Sequence, residues 1–174
     1  MEKRAKNSSV SLEDLPPIDL EKMLREKGYS SGEIDALLKK DILFISPKKI
    51  GSTSKEAITP NTLDFKKLLA QEKKDLKIDF AFDKAGYKYL ELLSAEIYVG
   101  VIVFLSITAW DIVKGFISSW LYAKYVGMKK GSKSLNAQLE VEVIDAKKGR
   151  TYHLKYAGPA DEVADIIKKA DLGD

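Results

Sequence analysis

The side chains able to do chemistry are few. His153 is the single histidine and cysteine is absent, which excludes disulfides, thiolate metal sites and cysteine catalysis together. In TYHLKY, His153 alternates with the apolar positions and falls with Thr151 and Lys155 on the polar face of a strand. The sequence supplies it with no second histidine, cysteine or evident acid partner. Carboxylates alone could hold a hard cation, but Glu140 and Glu142 alternate with Val141 and Val143, and are expected to be the solvated face of their strand. VGMKKGSKS has the glycines and lysines of a phosphate loop. It follows a helix and precedes a strand, however, the reverse of the order such a loop needs. No nucleophile elbow or paired-acid motif appears. The chain is expected to have no catalytic residue, no cofactor and no metal, and not to be an enzyme.

The elements around these residues can be read from periodicity. Leu139, Val141 and Val143 alternate with Gln138, Glu140 and Glu142, and after DAKKG the strand of Tyr152, Leu154 and Tyr156 follows, so the two runs make a hairpin with one covered face. Beyond it, Asp161 and Glu162 suit the positive end of a helix, Val163, Ile166 and Ile167 its buried face, and Lys168 and Lys169 its negative end. Leu76, Ile78, Phe80 and Phe82 alternate with Lys77, Asp79 and Ala81 and predict a third strand. Upstream, Asp19 and Gly28 bound one short helix, and Ser30 with Glu33 has the spacing of a capping box opening a second. REKGYSSGEIDALL thereby resembles small helical domains with a Gly-aromatic turn, in which Tyr29 packs on its own hairpin. Residues 42–45 read as a short strand, and Asn61 or Thr62 as the cap of a helix carrying Phe65, Leu68 and Leu69.

The stretch from Leu92 to Tyr125 outweighs everything else in length and apolar density. Its uncharged part, residues 97–110, is apolar all the way round a helix, so it predicts burial in protein or in lipid. A straight helix over residues 87–125 would extend about 58 Å, whereas a strand of seven to nine residues spans only about 23 to 30 Å. A break is therefore expected near Ser106 to Asp111, with Asp111 capping a new helix. Side chains left over from the sheet must find burial elsewhere, which makes Phe104, Leu105, Trp110, Phe116 and Trp120 candidate interface residues. The fold class that follows is α+β: a small three-stranded sheet with a long, broken apolar helix and a C-terminal helix, preceded by a small helical region. The corresponding divisions are a disordered N-terminus over 1–17, a helical region over 18–74 and an α+β domain over 75–174.

The formal charge of +3 and pI near 8.8 are mild, short of the concentrated basic stripe of a nucleic-acid binder. LEVEVIDAKKGRTYHLKYAGPADEVADIIKKA, preceded by a helix of high apolar content, resembles the effector-associated constant components of bacterial conflict systems. That resemblance covers about the last hundred residues. It implies a non-catalytic partner of an effector in defence or signalling, with a protein partner or self-association through residues 92–125. The alternative is a membrane-associated effector or anchor inserting residues 97–122, with Lys129, Lys130 and Lys133 meeting anionic head groups. The N-terminus lacks the apolar core of a signal peptide, so the expected location is cytoplasmic, extending to the inner face of a membrane.

Overall fold

The structure is a computed structural model that describes residues 9–15, 19–45, 56–84, 87–89, 96–128, 136–145 and 148–169. In chain order the elements are β1 (Ser9–Leu15), α1 (Leu20–Glu26), α2 (Ser31–Leu38), β2 (Ile42–Ile45), β3 (Glu56–Ile58), α3 (Pro60–Glu72), β4 (Ile78–Phe80), β5 (Tyr87–Tyr89), β6 (Glu96–Phe104), α4 (Ile107–Met128), β7 (Asn136–Asp145), β8 (Arg150–Pro159) and α5 (Ala160–Lys169). The class is α+β, but the expected three-stranded sheet is six-stranded, in the order β1-β8-β7-β6-β2-β4, with β3 and β5 pairing separately. β6 and β7 run parallel, as do β2 and β4, while the other pairs in the large sheet are antiparallel.

The largest correction concerns β6. Residues 96–104 form a strand between β2 and β7, where a helix was expected. Ile97, Val99, Val101, Ile102 and Val103 are β-branched and suit an extended chain. Both faces of the strand are covered, so no polar alternation marks it. Its phase also changes partway. The register shifts between Tyr98 and Gly100, and Gly100 takes φ 83°, a left-handed conformation that glycine adopts without strain. Ile97 and Val99 before this bulge, and Ile102 and Phe104 after it, all enter the same core. Val101, Val103 and Leu105 point to the opposite face. The bulge leaves Val99 without a register partner in β7, and its carbonyl accepts a hydrogen bond from Thr62 Oγ1 at 2.8 Å.

The break in the apolar stretch is therefore a strand-to-helix turn at Leu105–Ser106. Ser106 Oγ accepts from the Ala109 N–H at 3.1 Å and starts α4, in the place expected of Asp111. The two main helices α3 and α4, with α5, cover one face of the sheet. Phe65 of α3 is their hub, with ring centroids 5.9 Å from Phe44, 5.6 Å from Phe116 and 5.0 Å from Trp120. The α1–α2 hairpin covers β2 and β6 from the other side through Leu20, Leu24, Ile34 and Leu37.

Local signals hold in that hairpin: Asp19 caps α1, Ser30 and Glu33 form a complete capping box, and Gly28 sits at φ 93°. Tyr29 does more than pack on its own turn. Its hydroxyl donates to the Phe82 carbonyl at 2.8 Å, tying the hairpin to the chain leaving β4. α3 is capped by Thr59, with Pro60 in its first turn, in place of Asn61 or Thr62. Ser9–Leu15, assigned to the disordered N-terminus by the sequence, pairs along its whole length with β8. Val141, Val143, Leu154 and Tyr156 share the covered face of the β7–β8 hairpin, as the alternation predicts.

Candidate functional site

α4 is buried on one side through Ala109, Trp110, Val113, Ile117, Trp120 and Leu121. Its other side faces outward along the full length of the helix. Ile112, Tyr122 and Val126 are 43%, 57% and 50% exposed, and Thr108, Gly115, Ser119 and Ala123 lie among them. Charge reaches this side only through Asp111 and the part-exposed side chains of Lys114 and Lys124. Other surface helices here are conventional: α1 exposes Glu21, Lys22, Arg25 and Glu26, and α5 exposes Asp165, Lys168 and Lys169. The charges beside the outer face are held locally, since Lys114 pairs with Asp111 at 3.3 Å and Lys124 reaches Asp64 at 3.1 Å. Lys124 also lies 5.5 Å from the ring centre of Trp120.

A groove of about 660 Å³ runs beside this face, between α4 and α5. Gly115, Ser118, Ser119, Tyr122 and Ala123 line one wall and Asp161, Ala164, Asp165 and Lys168 the other. Its floor is fixed by the Ser118 hydroxyl, which donates to the Ala164 carbonyl at 2.6 Å. The wall is mostly apolar on the α4 side and charged on the α5 side, a surface suited to an amphipathic side chain such as Tyr or Trp.

The candidate interface residues named from sequence mostly belong to the core. Phe104 and Trp110 are fully buried and stack edge to face at 5.3 Å, and Trp120 is 6% exposed. Phe116 is partly buried against the same core and Leu105 against the core beneath α1 and α2. The sheet has more strands than expected, so it absorbs the side chains that seemed in excess. Lys129, Lys130 and Lys133 lie outside the described residues. Residues 96–104 of the expected inserting helix are instead a strand, paired with β7 along its length and with β2 over 101–104. Among the described residues no helix is long and apolar enough to cross a membrane.

On the sheet's other face a small polar cluster surrounds His153. Glu142 stands opposite it in the β7–β8 register, and Glu140, one pair away diagonally, places Oε2 3.2 Å from His153 Nε2. Glu140 is thus the acid partner that the sequence did not reveal. Burial raises the Glu142 carboxyl above its usual range; the nearby His153 charge opposes this and Glu140 reinforces it. Glu142 is thereby not simply a solvated strand residue. Among the described residues no group of three His, Asp or Glu side chains is arranged to hold a metal ion.

The geometry consequently offers one extended surface, the outer side of α4 with its groove, and one small ionisable cluster. Comparison of the chain with protein families, with curated proteins and with solved structures finds no match.

Proposed function

We propose that the protein is a non-catalytic interaction component that presents the outer face of α4 to a protein partner. The observation that carries this is the near absence of charge along the exposed side of a 22-residue helix. Water solvates such a face poorly, and covering Ile112, Tyr122 and Val126 would add roughly 25 cal/mol for each Å² of apolar surface removed from it. The order strand, helix, hairpin, helix from β6 to α5 supports reading the chain as the constant, effector-associated half of a bacterial defence or signalling pair. The strand in this order is β6, whereas the sequence predicts residues 76–82 as the strand and 92–125 as the helix, so the part shared with the resemblance is α4, the β7–β8 hairpin and α5.

Absence of native cysteine gives a direct test. Ser119→Cys on α4 and Lys22→Cys on α1 introduce single thiols at exposed positions of the two helices. Each is labelled with a maleimide in the cells that produce the protein and again on the dilute purified chain. Selective protection of Ser119→Cys in cells is the expected result. Equal labelling of the two sites in both settings would remove the basis for an interaction surface on α4.

A further inference from the structure

We infer that the occupant of this face is a second copy of the chain, packed about a two-fold axis passing at Ser119. The inference rests on reading α4 as the interaction surface, and it names the partner. Along the outer face, Ile112, Gly115, Ser119, Ala123 and Val126 are separated by three, four, four and three residues. That spacing is identical in either direction from Ser119. Sizes are symmetric as well, large at the two ends and small between them. A two-fold axis perpendicular to α4 sets Ile112 against Val126 of the second copy and Gly115 against its Ala123. The small central residues let the two helices approach closely.

The groove fits the same operation. Tyr122 is 57% exposed and lies one turn beyond Ser119, so in the pair it comes over the copy's Gly115 and Ser118, which line the groove. Charge selects the same occupant. β6 and β7 are parallel and β8 is antiparallel to them, so the connections send α4 and α5 in opposite directions, side by side. The first turn of α5 carries Asp161 and Glu162, and its last turn Lys168 and Lys169. The axis at Ser119 lays the acidic end of one α5 beside the basic end of the other. An unrelated partner would have no reason to match a surface that is complementary to itself in shape and in charge.

Area sets the strength. With 22 and 10 residues, α4 and α5 are about 33 and 15 Å long; at roughly 10 Å of width each, the footprint is about 480 Å² per copy, or ~960 Å² for the pair. This falls just short of the roughly 1,000 Å² that a stable interface clears, so the dimer is a weak one that forms and dissociates with concentration.

Sedimentation equilibrium of the full chain across the micromolar range should show monomer passing to dimer. Gly115→Lys should be monomeric throughout without a lowered Tm: a Cβ added at Gly115 meets nothing within 4 Å in its own chain, and lysine suits a helix better than glycine. On mild oxidation, Ser119→Cys should form a covalent dimer many-fold faster than Thr108→Cys, because only a residue on the axis faces its own copy. A chain monomeric over the whole range, a Gly115→Lys variant that dimerises like the parent, or equal cross-linking at the two positions would each overturn the proposal. If the chain is monomeric while Ser119→Cys is still protected in cells, the second copy is wrong and the interaction surface stands; free labelling in cells removes both.

Discussion

Replacing Phe65 by alanine should be among the most damaging single changes in this fold. The ring is 1% exposed and is contacted by Phe44 of β2 and by Phe116 and Trp120 of α4, so it joins three elements. Deleting a buried phenylalanine costs about 3 to 5 kcal/mol, nearer the upper figure where the surroundings cannot collapse. Here the neighbouring rings are fixed by different backbones, and the edge-to-face contact with Trp120 adds about 0.5 to 1.5 kcal/mol of its own. A loss of roughly 4 to 5 kcal/mol is a large part of a total of about 5 to 15, and at this chain length corresponds to a Tm lower by about 8 to 20 °C. Circular dichroism melting reads the shift, and acrylamide quenching reads the opening beside Trp120. Lys67→Ala, on the exposed side of the same helix, should stay within about 0.5 kcal/mol and serves as the control. A Phe65→Ala variant whose Tm falls by less than about 4 °C, with tryptophan as protected as before, would refute the view that this ring joins the layers.

Further outcomes concern ionisation and backbone. Since the folded-state value of Glu142 is raised by burial, its contribution is fully present below the unfolded pKa and is lost as pH rises through the folded one; Glu142→Gln should therefore gain stability over the parent as pH rises above the ordinary glutamate range, checked by urea unfolding at a series of pH values. Glu33 behaves oppositely. The Lys84 ammonium and the Ser30 cap hold its pKa at about 2, so its contribution is present above the ordinary glutamate value of 4.5 and disappears as pH falls toward 2; Glu33→Gln should flatten that limb of the acid-unfolding curve. Gly28→Ala should lower stability by about 1 to 2 kcal/mol in thermal melts, because φ is 93° and the new Cβ would stand 3.3 Å from Lys84 Cβ.

Elements with a local cause were legible. Asp19, Ser30 with Glu33, and Gly28 mark the first two helices because capping and left-handed turns depend on a few adjacent residues. The β7–β8 hairpin shows clean alternation because one of its faces carries polar residues, and its turn contains Gly149 at φ 62°. β6 lacked both aids: it is covered on two faces, and the bulge at Gly100 shifts its phase in the middle, so a strand without charge after Glu96 passed for a helix. β1 lies in a polar stretch and exists through its pairing with β8, a contact that no local pattern announces. At the candidate site, size was a poor guide. The large residues Phe104, Trp110 and Trp120 went inward, whereas the informative positions on α4 are a face of small and medium side chains whose lack of charge became visible only once the buried side was known. The partnership of His153 with Glu140 likewise depends on register, being a diagonal neighbour across two strands.

The pairing of β1 with β8 also bears on how the chain is made. Leu15 meets Thr151 and Ser9 meets Ala157, so the earliest of the described strands is placed against the latest. At about 5 to 20 residues per second, a separation of roughly 140 residues keeps β1 waiting some 7 to 30 s on the ribosome. During that interval β2 and β4, with α3 between them, can associate locally, but β1 has only an unpaired backbone to offer. One edge of the sheet is thus made well before the strand it pairs with, and a nascent chain interrupted before β8 would release β1 without its neighbour.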